Sequence, residues 1–314
     1  MRLVGRRLTQ TPPLLLAISL LLFAVLHLVP GGPLSAYLEN PNVRPEDIER
    51  LRRSLGLDRP LPVQYLSWLA AFVRGDWGYS YADGRPVLER LAERVPATLE
   101  LIGTAVVVAL AAAIPAGVYA SVRRGVDRVT GFVAVAGISL PVFWFGLVMQ
   151  IVFAGMLGWL PSSGRVGFGD RGLLDRLAHL VMPAAVLAAV LASTWSRYLR
   201  RTMRETMSAG FIGSVRSRGV SERSLVWRHA LRNALPVFTT VVLLDVSMLA
   251  SGAVVTESIF AWPGVGSLFV ESLAKRDYAV LMAFLMCGSA AVVVLNLLAD
   301  VLVLVLDPRV RDQG

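Results

Sequence analysis

FIGSVRSRGVSERSLVWRHALRNALP, residues 211–236, lies between two long apolar stretches of a 314-residue chain. It carries five arginines, at 216, 218, 223, 228 and 232, and His229, against a single acid, Glu222. A stretch this polar cannot be left without water or a partner, because an unsatisfied charge in an apolar medium is very costly. Where it lies and what it meets therefore decide how the rest of the chain is read.

The surroundings are those of a membrane protein. The chain is 55% hydrophobic and 17% charged, with mean hydropathy +0.61, and runs long enough to cross a bilayer recur along it. Net charge is +9, and the 31 basic residues include one lysine, Lys275. With this hydropathy, the basic excess is read as a positive-inside bias rather than as a nucleic-acid footprint. A lone cysteine, Cys287 in an apolar run, excludes a disulfide framework and a cysteine-based zinc site. Arg2, Arg6 and Arg7 precede an apolar run as in a signal peptide. No small-residue cleavage site follows, and the run ends at Pro30-Gly31-Gly32-Pro33, so it is read as an uncleaved first span.

A helix needs about 20 apolar residues to cross a core of about 30 Å. Six segments meet this roughly: 14–29 (extendable back to Leu8), 97–120, 131–157, 180–199, 236–260 and 279–306. Pro12-Pro13 are expected to break the start of the first. Pro115, Pro141 and Pro183 fall inside or near span starts, where membrane helices tolerate them. One set of connections (the N-terminus, 121–130, 197–232 and the C-terminus) carries 17 basic and 5 acidic residues. The other set (30–96, 158–178 and 261–278) carries 14 and 13. Both termini and the 211–236 loop are thus expected in the cytoplasm. The expected fold is an all-α polytopic membrane protein with six transmembrane helices. It divides into a cytoplasmic N-terminus with the first helix (1–29), an external segment with short helices (30–96), and a core with helices two to six (97–314) that includes a cytoplasmic loop at 200–235.

In the external segment, Pro45 can start a helix and Leu55-Gly56 can end it. A second helix is expected from Pro62 to Val73, with Tyr65, Trp68, Leu69 and Phe72 on one face, followed by a turn at Gly75-Asp76-Trp77-Gly78. The segment reads either as a cap over the helix ends or as part of the substrate's access route. In the cytoplasmic loop, Phe211, Ile212 and Val215 share a helical face, Gly219 is placed to end that helix, and Ser221 to cap the next. An apolar stripe through Val226, Ala230 and Ala234 then leads to Pro236. Two short helices, apolar on one side and Arg-rich on the other, suit a groove on another protein with acids at its rim. They equally suit an anionic lipid surface.

The string R-S-R-G-V-S-E-R…R-H-A-L-R-N-A-L-P in this loop resembles the EAA loop of ABC importer permeases, in the version of the oligopeptide/dipeptide/nickel permease family. His27 to Pro33, Gly75-Asp76-Trp77-Gly78-Tyr79-Ser80, Gly84-Arg85-Pro86-Val87 and Glu93 to Leu101 are similar to that family's signatures. So are Thr256 to Gly266, Arg276-Asp277-Tyr278, Asn296 to Asp300 and Leu306-Asp307-Pro308-Arg309. The ordered set covers residues 15 to 311. Two features depart from the pattern: the EAA positions read Gly213-Ser214-Val215, and Asp245 stands in a span that is mostly apolar or amide in the family.

The resemblance implies a type I ABC importer permease-like subunit of a bacterial plasma (inner) membrane. It would form a path for peptides or similar small solutes, or nickel chelates, with a second homologous permease. Two ATP-binding-cassette ATPase subunits would carry ATP and Mg, an extracytoplasmic solute-binding protein would deliver substrate, and this chain would bind no cofactor. The coupling residues it implies are Phe211, Ile212, Val215, Arg216, Arg218, Gly219, Ser221, Glu222, Arg223, Arg228, His229, Arg232, Asn233 and Pro236.

Enzyme chemistry is not visible in the residues. No G-x-x-x-x-G-K-[S/T] occurs, and Lys275 stands in an external loop, so ATP hydrolysis belongs to another chain. His27, His179 and His229 lie at different membrane levels and form no metal set. Ser251-Gly252 lacks the companions of an intramembrane protease. A secondary carrier would show internal repeats, and none is evident. Acids within spans are costly unless partnered. Asp245 either lines the pathway, pairs with a helix of the partner permease, or is protonated. Ser247, Ser251 and Glu257 complete the candidate path, with structural pairing the favoured reading for Glu257 and Asp300. Membrane lipid is the remaining expected contact, and no nucleic acid is expected.

Overall fold

The computed structural model describes residues 2–28, 34, 44–54, 56–167, 169, 172–249 and 253–306. Ser251, the Pro30–Pro33 exit of the first span and the Asp307-Pro308-Arg309 end lie outside these residues. The described residues are almost wholly helical: α1 (Arg2–Leu28), α2 (Pro45–Ser54), α3 (Leu61–Val73), α4 (Val87–Val122), α5 (Arg124–Ser139), α6 (Val142–Met149, widening into a π turn to Met156) and α7 (Gly172–Met207). They continue with α8 (Gly210–Arg216), α9 (Glu222–Leu249, with a π turn at Leu225–Ala230), α10 (Val254–Ile259), α11 (Val265–Ala274) and α12 (Tyr278–Leu306).

Among the described residues, five helices are long and apolar enough to cross a membrane: Thr9–Leu28, Val87–Val122, Gly172–Met207, Glu222–Leu249 and Tyr278–Leu302. The expected third span, 131–157, is not one straight helix. α5 and α6 meet at a 98° bend, and only the two counted together make a sixth span. The cause is local. Leu140 precedes Pro141 and is pushed out of the helical region to φ −81°, ψ 125°, as residues before proline are.

Prolines are less disruptive elsewhere than the sequence suggested. α1 runs unbroken through Pro12 and Pro13. The fifth span does not begin at Pro236, because α9 is continuous from Glu222 through Pro236 to Leu249. It also stops short of Phe260, the last residues forming the separate α10.

The core is the parallel pair α4 and α7, each 36 residues and about 54 Å long at ~1.5 Å per residue, in contact from Glu100–Arg176 at one end to Ala120–Arg204 at the other. Ala97, Leu101, Ala105, Ala109 and Ala113 recur every four residues and are fully buried, as is Trp195 facing them from α7. Small residues bring the two backbones close, the usual device where lipid supplies no hydrophobic drive. At Gly117 an added Cβ would sit 2.9 Å from both the Leu199 Cβ and the Ser196 carbonyl oxygen.

Candidate coupling surface

The 211–236 segment folds as its punctuation dictates. Gly219 takes φ +76° just beyond α8, a conformation that costs a side-chain-bearing residue roughly 1–2 kcal/mol. Ser221 caps α9, its hydroxyl accepting from the Ser224 N–H at 3.4 Å. Across the bend, Arg216 binds Glu222 through Nε–Oε1 at 2.8 Å and Nη2–Oε2 at 3.3 Å. Asn233 Nδ2 donates to the His229 carbonyl at 2.8 Å.

The apolar stripe is used inside the chain. Ile212, Leu225, Val226, Ala230, Leu231 and Ala234 are buried in one cluster with Ala113, Trp195, Leu199 and Met203 of α4 and α7. Trp227 packs edge-on against Tyr119, ring centroids 5.8 Å apart, and Arg123 lies over the Tyr119 ring at 5.7 Å. Val215 and Pro236 are partly buried. The sequence reading offered this apolar side to a groove on another protein; the structure gives it to the chain's own two longest helices. What faces outward is Phe211, Gly219, Ser221 and the charged set. Arg218, Arg223, Arg228 and Arg232 are exposed and make no ion pair among the described residues. Four free guanidinium groups are thus held at the α8–α9 bend and on the first turns of α9, which are firmly seated on α4 and α7.

The seat is braced by charges the sequence reading did not pair. Asp127 of α5 binds Arg200, and also Arg204 at 2.8 Å; Arg204 donates in addition to the Ala120 carbonyl at 3.2 Å. The cytoplasmic ends of α4, α5 and α7 are fastened together directly beside the loop.

The candidate path residues fall in three settings. Asp245 is half-buried and accepts a hydrogen bond from the Trp195 indole N–H at 2.7 Å. Its partner is therefore on α7 of the same chain. Ser247 is buried and donates to the Leu243 carbonyl at 2.7 Å. Glu257 is fully enclosed: it accepts from Thr98 Oγ1 at 2.6 Å and from the Ser267 N–H at 2.9 Å. It thereby caps the first turn of α11, where free N–H groups favour a carboxylate. The same Thr98 oxygen accepts from the Val265 N–H at 2.9 Å, and the Trp262 indole donates to the Ala97 carbonyl at 2.8 Å. A Cβ on Gly264 would fall on the Glu257 carboxylate, which explains that glycine. Glu257 joins α10, α11 and α4, in keeping with structural pairing.

A second polar network ties the external turn to the start of α12. Arg90 is buried between Ser80, at 2.8 Å, and Asp277, at 3.2 Å. Asp277 also accepts from the Ser80 hydroxyl and from the Tyr81 N–H at 3.1 Å. Nearby, Glu271 is held below the usual carboxylate range, first by its 2.8 Å bond from Lys275 and then by the neighbouring Arg90 and Arg94 charges. Closer to the membrane, Glu100 receives Arg165 and Arg176 together. The Gly75–Ser80 and Arg276–Tyr278 motifs were visible as strings. That they meet through Arg90 was not, since nothing in either string points to the other.

Among the described residues no group of three or more His, Cys, Asp or Glu could hold a metal ion.

Comparison with known proteins follows the same lines. Residues 103–312 match the family described as binding-protein-dependent transport system inner membrane component, and residues 1–102 match the corresponding N-terminal family. The oligopeptide transport system permease protein AppB of Bacillus subtilis (strain 168) is 37% identical over 310 residues, 98% of each chain. The dipeptide transport system permease protein DppB of Escherichia coli (strain K12) is 34% identical over 337 residues, 100% of this chain and 99% of its own. The glutathione transport system permease protein GsiC of Escherichia coli O1:K1 / APEC is 35% identical over 98% of both chains. Among solved structures, the inward-facing MetNI methionine ABC transporter contains a chain of the same fold. Its TM-score is 0.51 at 17% identity, covering 69% of this chain and 96% of that one.

Proposed function

The chain belongs to the family of binding-protein-dependent transport system inner membrane components, and on that premise we propose that residues 210–236 are the surface on which its ATPase subunits dock. The protein is a membrane-spanning permease subunit of an ABC importer in the inner membrane, a transport subunit and not an enzyme.

One observation carries the docking proposal. Arg218, Arg223, Arg228 and Arg232 project from a helix pair whose apolar side is locked into α4 and α7. A patch seated this way moves with the two longest spanning helices. A force applied to it is passed to the path rather than absorbed in a loose loop. The expected partners are two cytoplasmic ATPases carrying ATP and Mg, with acids at the rim of their grooves. A second, homologous permease completes the path, and an extracytoplasmic binding protein delivers the solute. The transported solute is proposed to be a peptide, on the likeness to permeases named for oligopeptide, dipeptide and glutathione transport.

Asp245 and Ser247 are proposed to border the path. Asp245 is half-exposed, and the Trp195 bond fixes its carboxylate on the side of α9 that faces α7. Glu257 is proposed to serve the path indirectly, by fixing α10 and α11 at its outer end.

The test is co-purification of the assembled transporter carrying Arg218→Glu, Arg228→Glu and Arg232→Glu together. The ATPase subunits are expected to be lost while the permease pair still inserts. ATPases retained at wild-type level, with substrate-stimulated hydrolysis unchanged, would refute the docking role.

A further inference from the structure

α3, LPVQYLSWLAAFV, has no charged residue, and Arg59 and Arg74 flank it. By sequence it belongs to the external segment, but its contacts place it lower. The Tyr65 hydroxyl lies 2.7 Å from Ser19 Oγ, and Ser19 already gives its one proton to the Leu16 carbonyl at 2.8 Å, so Tyr65 is the donor. Ser19 stands nine residues before Leu28, about 13 Å down α1 at ~1.5 Å per residue. The Thr9–Leu28 span is 20 residues long, about the full ~30 Å of a hydrocarbon core. The bond therefore lies near the middle of the bilayer.

Three more contacts give the tilt of α3. Gln64 Oε1 meets His27 Nε2 at 3.1 Å, close to the outer end of α1. The Tyr65 ring packs on Phe23 with centroids 5.4 Å apart, and Trp68 follows at 6.3 Å. One face of α3 is thus laid along residues 19–27 of α1. Turned away from α1, the helix shows Val63, Leu66 and Val73, all exposed. Were the helix in water, that patch would be unexplained.

We propose that α3 is immersed in the outer leaflet, and that acyl chains cover its Val63–Leu66–Val73 face. It enters from the headgroup level, runs beside α1 within the hydrocarbon, and returns through the Gly75–Gly78 turn, with Arg59 and Arg74 reaching the headgroups as flanking arginines do. The external segment then adds an apolar wedge to the lipid-facing wall. It is not wholly a soluble cap.

Nitroxide accessibility tests this in the assembled transporter, cysteine-free (Cys287→Ala in this chain) and reconstituted in phosphatidylethanolamine/phosphatidylglycerol nanodiscs. Labels are placed at Leu66→Cys and, separately, Ala70→Cys, with Glu49→Cys in α2 as the aqueous reference. The expected result is an oxygen-to-nickel-chelate collision ratio several-fold higher at 66 and 70 than at 49. Ratios equal to that at 49 would overturn the proposal in favour of a water-exposed cap. Low collision with both reagents would overturn it in favour of a protein partner, such as the second permease, on this face.

Discussion

Arg90 with Asp277 and Arg216 with Glu222 are the same chemical pair in opposite settings. The first lies at the external end with side chains 8% and 0% exposed, joined by Ser80 and a backbone N–H. The second bridges the cytoplasmic bend with side chains 54% and 66% exposed. At the outer end the chain turns its charges inward and satisfies them itself. At the inner end it pairs one arginine across a bend and leaves four others facing out. A region that closes its own polar accounts needs no partner for its shape, whereas one that leaves charge outward is built to meet something. The comparison predicts a steep gradient in the cost of breaking each pair.

The largest effect is expected at Asp277→Ala. Arg90 keeps Asp83 at 3.4 Å and Glu271 at 3.8 Å, but Asp277 is its one fully buried partner, and breaking a buried pair typically costs about 3–5 kcal/mol. The expected outcome is little folded protein recovered in detergent. Arg90→Met, which removes the opposite charge with similar volume, should partly restore recovery when combined with it. Normal yield and melting temperature for Asp277→Ala alone would show that the outer network is not a structural tie, and the contrast would fail.

Gly264→Ala is expected to come next. The new methyl group would land on the Glu257 carboxylate, forcing it off Thr98 and the α11 turn. Overpacking of this kind costs about 1–3 kcal/mol. The measurement is thermal unfolding of the purified permease pair. An unchanged midpoint would mean the carboxylate has room to move, and that its enclosure matters less than the geometry indicates.

These two positions also mark what was legible in the sequence. Helix ends were legible wherever one residue sets them: Gly219 at φ +76°, Gly56 at φ +66° and the Ser221 cap are all where the punctuation put them. Apolar faces were legible because period alone reveals them. The owner of the loop's apolar face was not, since periodicity shows that a side is buried and not against what. The same limit hid Arg90–Asp277, Thr98–Glu257 and Trp195–Asp245, whose members lie 187, 159 and 50 residues apart. Proline was misjudged in both directions. Pro12, Pro13 and Pro236 are carried within helices, while Pro141 fixes the 98° bend because Leu140 before it is forced extended.

Gly219→Val moves the comparison to the inner end. No atom lies within 4 Å of a Cβ there, so the cost is purely conformational, about 1–2 kcal/mol, and it falls on the bend. Global stability should drop slightly while ATPase co-purification weakens. Gly219→Asn, a residue that tolerates positive φ, should retain most of it. Equal behaviour of the two variants would mean that backbone conformation at this bend does not govern docking.

The smallest effect is expected at Glu222→Ala. Exposed ion pairs are typically worth about 0.2–1 kcal/mol, because water already solvates both partners and holding two long side chains costs entropy. Ser221 still caps α9 without Glu222, and the buried stripe still fixes the loop on α4 and α7. The melting temperature should therefore move little. What changes is charge: Arg216 is released to join the outward-facing set, and the patch gains one net positive charge. If docking relies on acids across the interface, ATPase affinity should rise slightly and fall more steeply with added salt, since surface attraction is screened within about 10 Å at 0.1 M. A large stability loss would place the Arg216–Glu222 bridge among the structural ties and erase the distinction between the two ends. Unchanged affinity and salt dependence would leave the distinction standing but detach it from docking, because the free arginines would then be serving lipid rather than a protein groove.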